Sequence, residues 1–291
     1  ELLRLAGNLD VHLTRLRGQV LDGSYRPRPV QRIEIPKPSG GVRRLGIPPV
    51  TDRLLERAVA QVLMEVLDPL MSPWSFAYRR GLGVDDAVQA VAEFQDHGLA
   101  TVVRADIAEC FDSIDRSALL GRLEESLDDE RLTSLVGRLM DRPSRAGGRL
   151  VNTAQGVHQG SPPSPVLCNL YLDRLDQATA EAGLLSVRFA DDLAIGARDR
   201  AHAAEILDVV TGLVDDLGLR LADPKTRIAS FAEGVAFLGV EIGERLPSAD
   251  SPTREPDRCV LYLATPGCRA SLRDGQVRVE QGGKVVLSVP V

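Results

Sequence analysis

Two adjacent acidic residues, Asp191 and Asp192, stand in the middle of an otherwise apolar segment. The β-favouring residues around them, from Phe189 to Ile195, predict a hairpin that carries both carboxylates at its turn. Neighbouring like charges repel each other, and a divalent cation with oxygen ligands would neutralise them. Because Asp is also common in ordinary solvated turns, the pair alone favours a metal site and a surface turn equally.

A third acidic residue strengthens the metal interpretation. Asp106 ends a second short apolar segment, Thr101–Asp106, which has the composition of a β-strand. If the two strands are neighbours in one sheet, three carboxylates converge, which is the ligand set of a two-metal phosphoryl-transfer site. We therefore predict a site for two Mg²⁺ ions, with Mn²⁺ as an alternative, because Mg²⁺ prefers a few carboxylates together with phosphate oxygens and water.

The elements that must position these acids follow from hydrophobic periodicity. Helices are predicted over residues 1–25, 51–69, 84–96, 115–127, 129–141, 164–182 and 200–217, and strands over 101–106, 185–197 (a hairpin), 226–232 and 235–242. Thr51 or Asp52 is the expected N-cap of the second helix. A strand–turn–strand unit is expected around Ser39-Gly40-Gly41. This order predicts an α+β domain in which helices back an antiparallel sheet.

Composition changes twice near the C-terminal end. Residues 244–258 are rich in Pro, Ser and charged residues, which is typical of an exposed linker. Residues 259–291 alternate apolar and polar side chains, with Asp274-Gly275 and Gly282-Gly283 as turns, and this pattern predicts a small β-meander. We therefore divide the chain into a main domain (1–243), a linker (244–258) and an all-β fragment (259–291).

Bulk composition sets further bounds. The 291 residues, 44% hydrophobic, can bury a full core, while a net charge of −6 and a pI of about 5.4 provide no global positive field for nucleic acid. Only one segment reverses the balance, with six cations against Glu34: Arg26, Arg28, Arg32, Lys37, Arg43 and Arg44. The four cysteines lack metal-ligand spacing. With neither a signal peptide nor a bilayer-length apolar run, we expect a cytoplasmic protein without membrane contact.

Three segments carry a family resemblance: DIAECFDSID at 106–115, QGSPPSP at 159–165 and FADD at 189–192. In group II intron-like reverse transcriptases, the first segment resembles the first palm motif and the third resembles the catalytic hairpin. The second resembles the motif that lies between those two in the family. Four more segments are similar to other motifs of that family, at residues 35–48, 72–79, 218–226 and 237–239. The seven stand in the family's order over residues 30–242. His158, where the family usually has Pro, and Pro163 depart from the pattern.

The resemblance implies the fingers and palm of a right-hand polymerase, an RNA-directed DNA polymerase that extends a primer with deoxynucleoside triphosphates on an RNA or DNA template. It implies metal ligands at Asp106, Asp191, Asp192 and the Ile107 carbonyl, and a general acid at Lys225. It further implies nucleotide contacts at Lys37, Arg43, Phe111, Gln159 and Gly160, with Phe111 excluding a ribose 2′-OH. Nucleic-acid contacts are implied at Arg79, Phe237, Leu238 and Gly239.

The tail adds a second resemblance. Residues 261–291 are similar to the opening β-strands of the CRISPR-associated spacer-acquisition integrase, although a generic β-appendage has the same pattern. The resemblance implies a fusion that acquires spacers from RNA in antiviral defence. Its partners would then be the integrase domain in cis and the integrase's small partner subunit. Because residues 240–258 leave no room for a helical thumb, we also expect low processivity.

Three alternatives remain open at this point. The polymerase fold could be a catalytically silent nucleic-acid-binding scaffold, which the intact Asp106, Asp191 and Asp192 disfavour. It could be a defence or retroelement reverse transcriptase without an integrase. A two-metal nuclease is disfavoured because it would have no use for Phe111 or for the pair Lys37 and Arg43.

Overall fold

The computed structural model describes residues 7–36, 41–223 and 225–244, together with the backbone of three C-terminal strands. The protein has an α+β fold, as predicted, with helices and strands of short to medium length. In chain order the elements are α1 (Leu9–Leu21), β1 (Val30–Pro36), β2 (Val42–Ile47), α2 (Val50–Leu67), α3 (Val84–Ala92), β3 (Thr101–Asp106), α4 (Cys110–Ser113), α5 (Arg116–Ser126), α6 (Glu130–Asp141), β4 (Ser144–Ala146), β5 (Arg149–Val151), α7 (Ser164–Glu181), β6 (Ser186–Phe189), β7 (Asp192–Ala197), α8 (Arg200–Asp216), β8 (Arg227–Ser230), β9 (Val235–Phe237), β10 (Val240–Ile242), β11 (Cys268–Arg273), β12 (Gln276–Gln281) and β13 (Lys284–Pro290).

The chain divides into two compact units, of which the first comprises Glu1–Pro69, Phe111–Tyr171 and Gly267–Val291. Within this unit β2, β1, β4 and β5 form one sheet in that order. The β1–β2 pair is antiparallel, as predicted, and β1 runs parallel to β4. Helix α2 buries the apolar side chains that recur at helical spacing on one of its faces, Leu55, Val59, Leu63 and Val66.

The predicted start of α2 was two or three residues too late. The helix begins at Val50, directly after Pro49, so Thr51 and Asp52 lie inside it and neither caps it. The Asp52 carboxylate is buried, and it accepts a hydrogen bond of 2.8 Å from the Tyr25 hydroxyl. This tertiary contact uses the side chain that a local capping rule assigned to the helix end.

The second unit comprises Leu70–Cys110 and Leu172–Pro266. Its sheet has the order β6-β7-β3-β8, and every neighbouring pair is antiparallel, which confirms the predicted antiparallel sheet. Helices α3 and α8 pack against this sheet. A buried cluster joins α3 to one face of the sheet and to the β9–β10 hairpin: Phe76, Ala87, Ala90, Val91, Phe94, Val102, Val187, Ala194, Phe231, Val235, Phe237 and Ile242.

Two local features differ from the expectation. The predicted strand over 235–242 is a hairpin, β9–β10, whose turn residues Leu238 and Gly239 have φ angles of 50° and 83°. The β4–β5 hairpin was not predicted, because each of its strands has only three residues and Gly147-Gly148 forms the turn. Strands this short carry too few residues for alternation to be read.

At the C-terminal end β11, β12 and β13 form an antiparallel three-stranded sheet, which agrees with the predicted meander. The two predicted turns of the meander, and the predicted linker beyond Glu244, lie outside the described residues. The division at residues 243 and 258 therefore stays a prediction. No helix within the described part of the chain is long and apolar enough to cross a bilayer.

Candidate active site

The strand register of the second unit brings the predicted carboxylates to one end of its sheet. Asp106, the last residue of β3, is the cross-strand partner of Asp192, the first residue of β7. The backbone N–H of Ile107 donates to the Asp191 carbonyl at 3.0 Å, so the hairpin turn is joined to β3 just beyond the carboxylate. Ala190 has a φ of 58°. This left-handed conformation at a non-glycine residue costs free energy and is common at functional turns.

The electrostatics of this end of the sheet favour a bound cation. Burial raises the pKa of Asp192, and the charges of Asp106 and Asp191 raise it further. The Lys225 ammonium lies 2.6 Å from Asp106 Oδ2, and this hydrogen bond is the main cause of the raised pKa of Lys225. Lys225 thus supplies one positive charge where three carboxylates repel one another.

The oxygen atoms at this end of the sheet are suitable ligands for a divalent metal. Their side chains are not arranged around a common metal position. Among the residues that the structure describes, no three acidic, His or Cys side chains already form a set that could hold a metal ion. Asp106 is engaged by Lys225 instead. The Ile107 carbonyl takes no part in the two hydrogen bonds that join this segment to residues 220–222, Ala108 N–Arg220 O (2.9 Å) and Ala222 N–Asp106 O (2.7 Å). All the donors are oxygens, which Mg²⁺ prefers.

A buried arginine connects the carboxylate hairpin to a neighbouring helix. Arg188 of β6 is 1% exposed and binds Asp176 of α7 through two hydrogen bonds, Nε–Oδ1 (2.8 Å) and Nη2–Oδ2 (2.6 Å). Its Nη1 donates to the Ala190 carbonyl at 3.1 Å, next to Asp191. Sequence reasoning missed both residues. The available signal was a single cation in an apolar strand, which is costly to bury without a partner.

A second arginine was also missed. Arg104 Nη2 lies 3.6 Å from Asp192 Oδ1, and its guanidinium lies over the Phe237 ring at 5.6 Å from the ring centroid. Since Arg104 precedes Asp106 by two residues in β3, both side chains project from the same face. Periodicity alone would have placed Arg104 on that face, but not beside Asp192.

The residues predicted to contact the nucleotide lie in the first unit. Backbone hydrogen bonds connect the chain segments around Gly46, Phe111 and Gln159. Val157 N donates to the Phe111 carbonyl at 2.7 Å, and Gly46 N donates to the Gln159 carbonyl at 2.7 Å. Gly160 has a φ of 102°, and a residue with a side chain would be strained in this conformation. Gly46 belongs to β2, which also carries the exposed Arg43. Phe111 is half-buried, and Lys37 lies outside the described residues.

Buried polar contacts hold the loop that carries Gln159. Ser161 donates to Glu56, which is fully buried and also pairs with Arg142. His158 Nε2 donates to the Arg142 carbonyl at 3.1 Å, and burial lowers the pKa of His158 to about 4. Where the resembling family has a φ-restricting proline, this neutral, hydrogen-bonded histidine restrains the turn.

The remaining predicted nucleic-acid contacts lie in the second unit and are of two kinds. Arg79 is half-buried, and its Nη1 donates to the carbonyls of Ser72 and Ser75 at 2.6 and 2.8 Å, so it stabilises a turn. Phe237 is buried under Arg104, while Leu238 and Gly239 form the turn of β9–β10 and Gly239 is exposed. Contact between these residues and nucleic acid stays a prediction.

Comparison with known proteins supplies the family. Residues 35–242 match the family model "Reverse transcriptase (RNA-dependent DNA polymerase)". Protein YkfC of Escherichia coli (strain K12) is 26% identical over 81% of this chain and 72% of its own length. The group II intron-encoded protein LtrA of Lactococcus lactis is 32% identical, but the match covers 54% of this chain and 26% of LtrA.

Solved structures share the fold. Telomerase from Candida albicans, in complex with a fragment of telomeric RNA, superposes with a TM-score of 0.62 at 13% identity, over 75% of this chain and 44% of that chain. At this identity the likeness concerns the fold alone. The family model, by contrast, covers well over half of the sequence. The chain therefore belongs to the reverse transcriptase (RNA-dependent DNA polymerase) family of nucleotidyltransferases.

Proposed function

We propose that the chain is the polymerase part of a reverse transcriptase that extends a primer 3′ end with deoxynucleotides along an RNA or DNA template, using two Mg²⁺ ions. The observation that carries the proposal is the register that sets Asp106 opposite Asp192 and joins Ile107 to Asp191. Chain segments 85 residues apart thereby supply carboxylates to one sheet end. A surface turn would not require this convergence.

The ions would be held by Asp106, Asp191 and Asp192, with the Ile107 carbonyl as a further oxygen and Mn²⁺ as an alternative metal. Reverse transcriptases use divalent metal ions, and the all-oxygen donor set is consistent with that chemistry. When bound, a metal pair lowers the pKa of the attacking hydroxyl and offsets the charge of the leaving pyrophosphate.

Lys225 is the proposed general acid. It is 60% exposed on its side chain and already lies at the carboxylate end, hydrogen-bonded to Asp106. A lysine ammonium is protonated at neutral pH, as a donor to the departing pyrophosphate requires. Ions that take Asp106 as a ligand would release the ammonium for this task.

Residues of the first unit are proposed to select the nucleotide. Arg43 is exposed and, with Lys37, would bind the triphosphate, for which cationic donors are suited. The half-buried Phe111 ring would exclude a ribose 2′-OH, and the glycine backbone at Gly160 would permit close approach of the new base pair. In the second unit Arg79 and the turn 237–239 would contact the primer strand.

We further propose that the polymerase serves CRISPR spacer acquisition from RNA, as part of a fusion with the adaptation integrase and with the integrase's small partner subunit. The resemblance of residues 261–291 to the first integrase strands supports this, as does the meander β11–β13. The intron-encoded relative LtrA favours the competing role, a retroelement or defence enzyme without integrase. The sequence that follows residue 291 in the full-length protein discriminates between them.

Primer extension on an RNA template tests the polymerase proposal. We expect Asp191→Ala to reduce the extension rate by roughly 10²- to 10³-fold, as for loss of a principal electrostatic stabiliser. Asp208→Ala, which changes an exposed acid on α8, should extend like the unaltered chain. An undiminished extension rate in Asp191→Ala would exclude the proposed site, and absence of extension by the unaltered chain would favour a binding scaffold.

A cellular assay tests the CRISPR proposal. With the full-length protein expressed beside a CRISPR array, Asp191→Ala should abolish new spacers that cross splice junctions, since these can only come from RNA. Spacers copied from DNA should continue to appear. If both classes arise equally in the variant, the polymerase has no part in spacer acquisition.

A further inference from the structure

The sheet of the second unit carries a pair of arginines beside its carboxylates. In the register Arg104 of β3 lies between Ala194 of β7 and Arg227 of β8, two residues before Asp106. Cross-strand partners, and residues two apart in a strand, project from the same face. The two guanidinium groups therefore share the face of Asp106.

Arg104 marks the point where this face changes from buried to open. Ala194 and Phe237 beside it belong to the buried cluster, while Asp192 beyond it is 32% exposed on its side chain and Arg104 itself 25%. The 3.6 Å separation from Asp192 is too long for a hydrogen bond. Nε of Arg104 has no hydrogen-bond partner within the described ranges. Stacking on Phe237 thus positions a guanidinium whose donors are largely unused.

Arg227 is exposed on β8, which is an edge strand of the sheet. In the part of the chain that the structure describes, its side chain forms neither an ion pair nor a hydrogen bond. Like charges directly opposite each other in antiparallel strands are destabilising. Two arginines in this position, with Asp192 as the acid next to one of them, form a site of positive charge that an anion would stabilise.

The charges change if the carboxylates bind metal. Without metal, Asp192 attracts Arg104, and Lys225 pairs with Asp106. If Asp106, Asp191 and Asp192 held metal ions, their charge would be neutralised and Arg104 would lose this attraction. The two positively charged side chains of Arg104 and Arg227 would then have no counterion. Planar guanidinium groups are suited to donate hydrogen bonds to phosphate oxygens.

We propose that Arg104 and Arg227 form a phosphate-binding site for a backbone phosphodiester of the primer strand; the choice of strand rests on the polymerase function proposed above. The primer is favoured over the triphosphate because Arg104 stacks on Phe237, which belongs to the β9–β10 hairpin whose turn is proposed to contact the primer. The triphosphate is proposed to be bound by cations of the first unit.

Salt-dependent duplex binding tests the site without catalysis. The dissociation constant of a labelled primer–template duplex is measured by fluorescence anisotropy with the full chain, in EDTA and in Ca²⁺, from 50 to 200 mM salt. The variants are Arg104→Gln, Arg227→Gln and the double change. Arg200→Gln is the control, since Arg200 is an exposed arginine of the same unit that already pairs with Glu233 at 2.7 Å.

Each Gln variant should lower the slope of log affinity against log salt by about one, and the double variant by about two. At 50 mM salt this corresponds to roughly tenfold weaker binding for each arginine. The effect should be larger in Ca²⁺ than in EDTA, because the carboxylates are then neutralised. Arg200→Gln should leave both slope and affinity unchanged, and the KM for deoxynucleotides should stay the same in all four proteins.

Unchanged slopes in both arginine variants would overturn the site. An increased KM for deoxynucleotides with unchanged duplex binding would assign the pair to the triphosphate and overturn the primer assignment. If Arg104→Gln fails to fold, the exposed Arg227→Gln still decides. Variant-dependent duplex binding by a chain that never extends primers would overturn the polymerase proposal alone, whereas normal extension with unaffected binding would overturn this inference alone.

Discussion

Arg188, in the strand that leads to Asp191, forms a buried ion pair with Asp176 through two hydrogen bonds of 2.8 and 2.6 Å. The pair joins helix α7 to the hairpin, and the third nitrogen of Arg188 holds the carbonyl of Ala190. The rigidity of the carboxylate turn therefore depends on a charge that is sealed from water. Removal of one partner leaves the other charge buried and unpaired.

We expect Asp176→Ala to lower the free energy of unfolding by roughly 3–5 kcal/mol, because it leaves Arg188 unpaired. Urea denaturation followed by circular dichroism measures the change. Glu233→Ala is the matched control, since its arginine partner, Arg200, is exposed; here we expect at most about 1 kcal/mol. A loss as small as that in Asp176→Ala would mean that the buried pair does not stabilise the hairpin.

Replacement of Lys225 by Gln should have two opposite effects. The rate of nucleotide addition in single turnovers should fall by about 10²-fold, the usual contribution of a general acid. The Mg²⁺ concentration for half-maximal rate should decrease, because Lys225 no longer competes for Asp106. Titration of Mg²⁺ in extension assays measures both, with Arg200→Gln as the control. A lower rate with a higher Mg²⁺ requirement would contradict the competition.

The half-buried His158 should make the protein less stable in acid. Its pKa in the folded chain is about 4, below the ordinary 6.5, chiefly because of burial and in spite of its hydrogen bond to the Arg142 carbonyl. Between these two values the unfolded state binds more protons than the folded state. Stability should therefore be unaffected above pH 6.5 and fall as the pH drops from 6.5 to 4, by up to roughly 3 kcal/mol.

His158→Gln should remove most of that pH dependence, since an amide can donate to the same carbonyl and does not titrate. Urea unfolding at pH 7.5, 6 and 5 measures the difference between variant and unaltered chain. His97→Gln changes an exposed histidine and should leave the acid dependence as it was. Equal acid sensitivity of His158→Gln and the unaltered chain would show that other groups cause it.

Phe111→Ala should relax sugar selection. If the half-buried ring excludes a ribose 2′-OH, the ratio of kcat/KM for ribonucleotides to that for deoxynucleotides should rise by about 10²-fold. Phe111→Tyr keeps the bulk of the ring and should preserve the ratio. An equal decline of both values in Phe111→Ala would indicate that the phenylalanine stabilises the fold and does not select the sugar.

Local patterns predicted most of the elements correctly. The hairpin around Asp191 and the strand that ends at Asp106 were predicted because alternation and turn chemistry act between near neighbours in the chain. The same rules failed at β4–β5, where the strands are too short, and at the turn of β9–β10, where Leu238 adopts a positive φ. They also misplaced the start of α2, since Asp52 is used by Tyr25.

Sequence patterns alone were enough to locate the charged residues, the strand that ends at Asp106 and the turn that carries two acids, because these are properties of neighbours. The position of β3 between β7 and β8, which sets Asp106 opposite Asp192 and Arg104 opposite Arg227, became known from the folded chain. The tertiary structure also decided that Arg188 is paired with Asp176. Such pairings depend on which distant strands and helices exclude water together, and no local pattern encodes that choice.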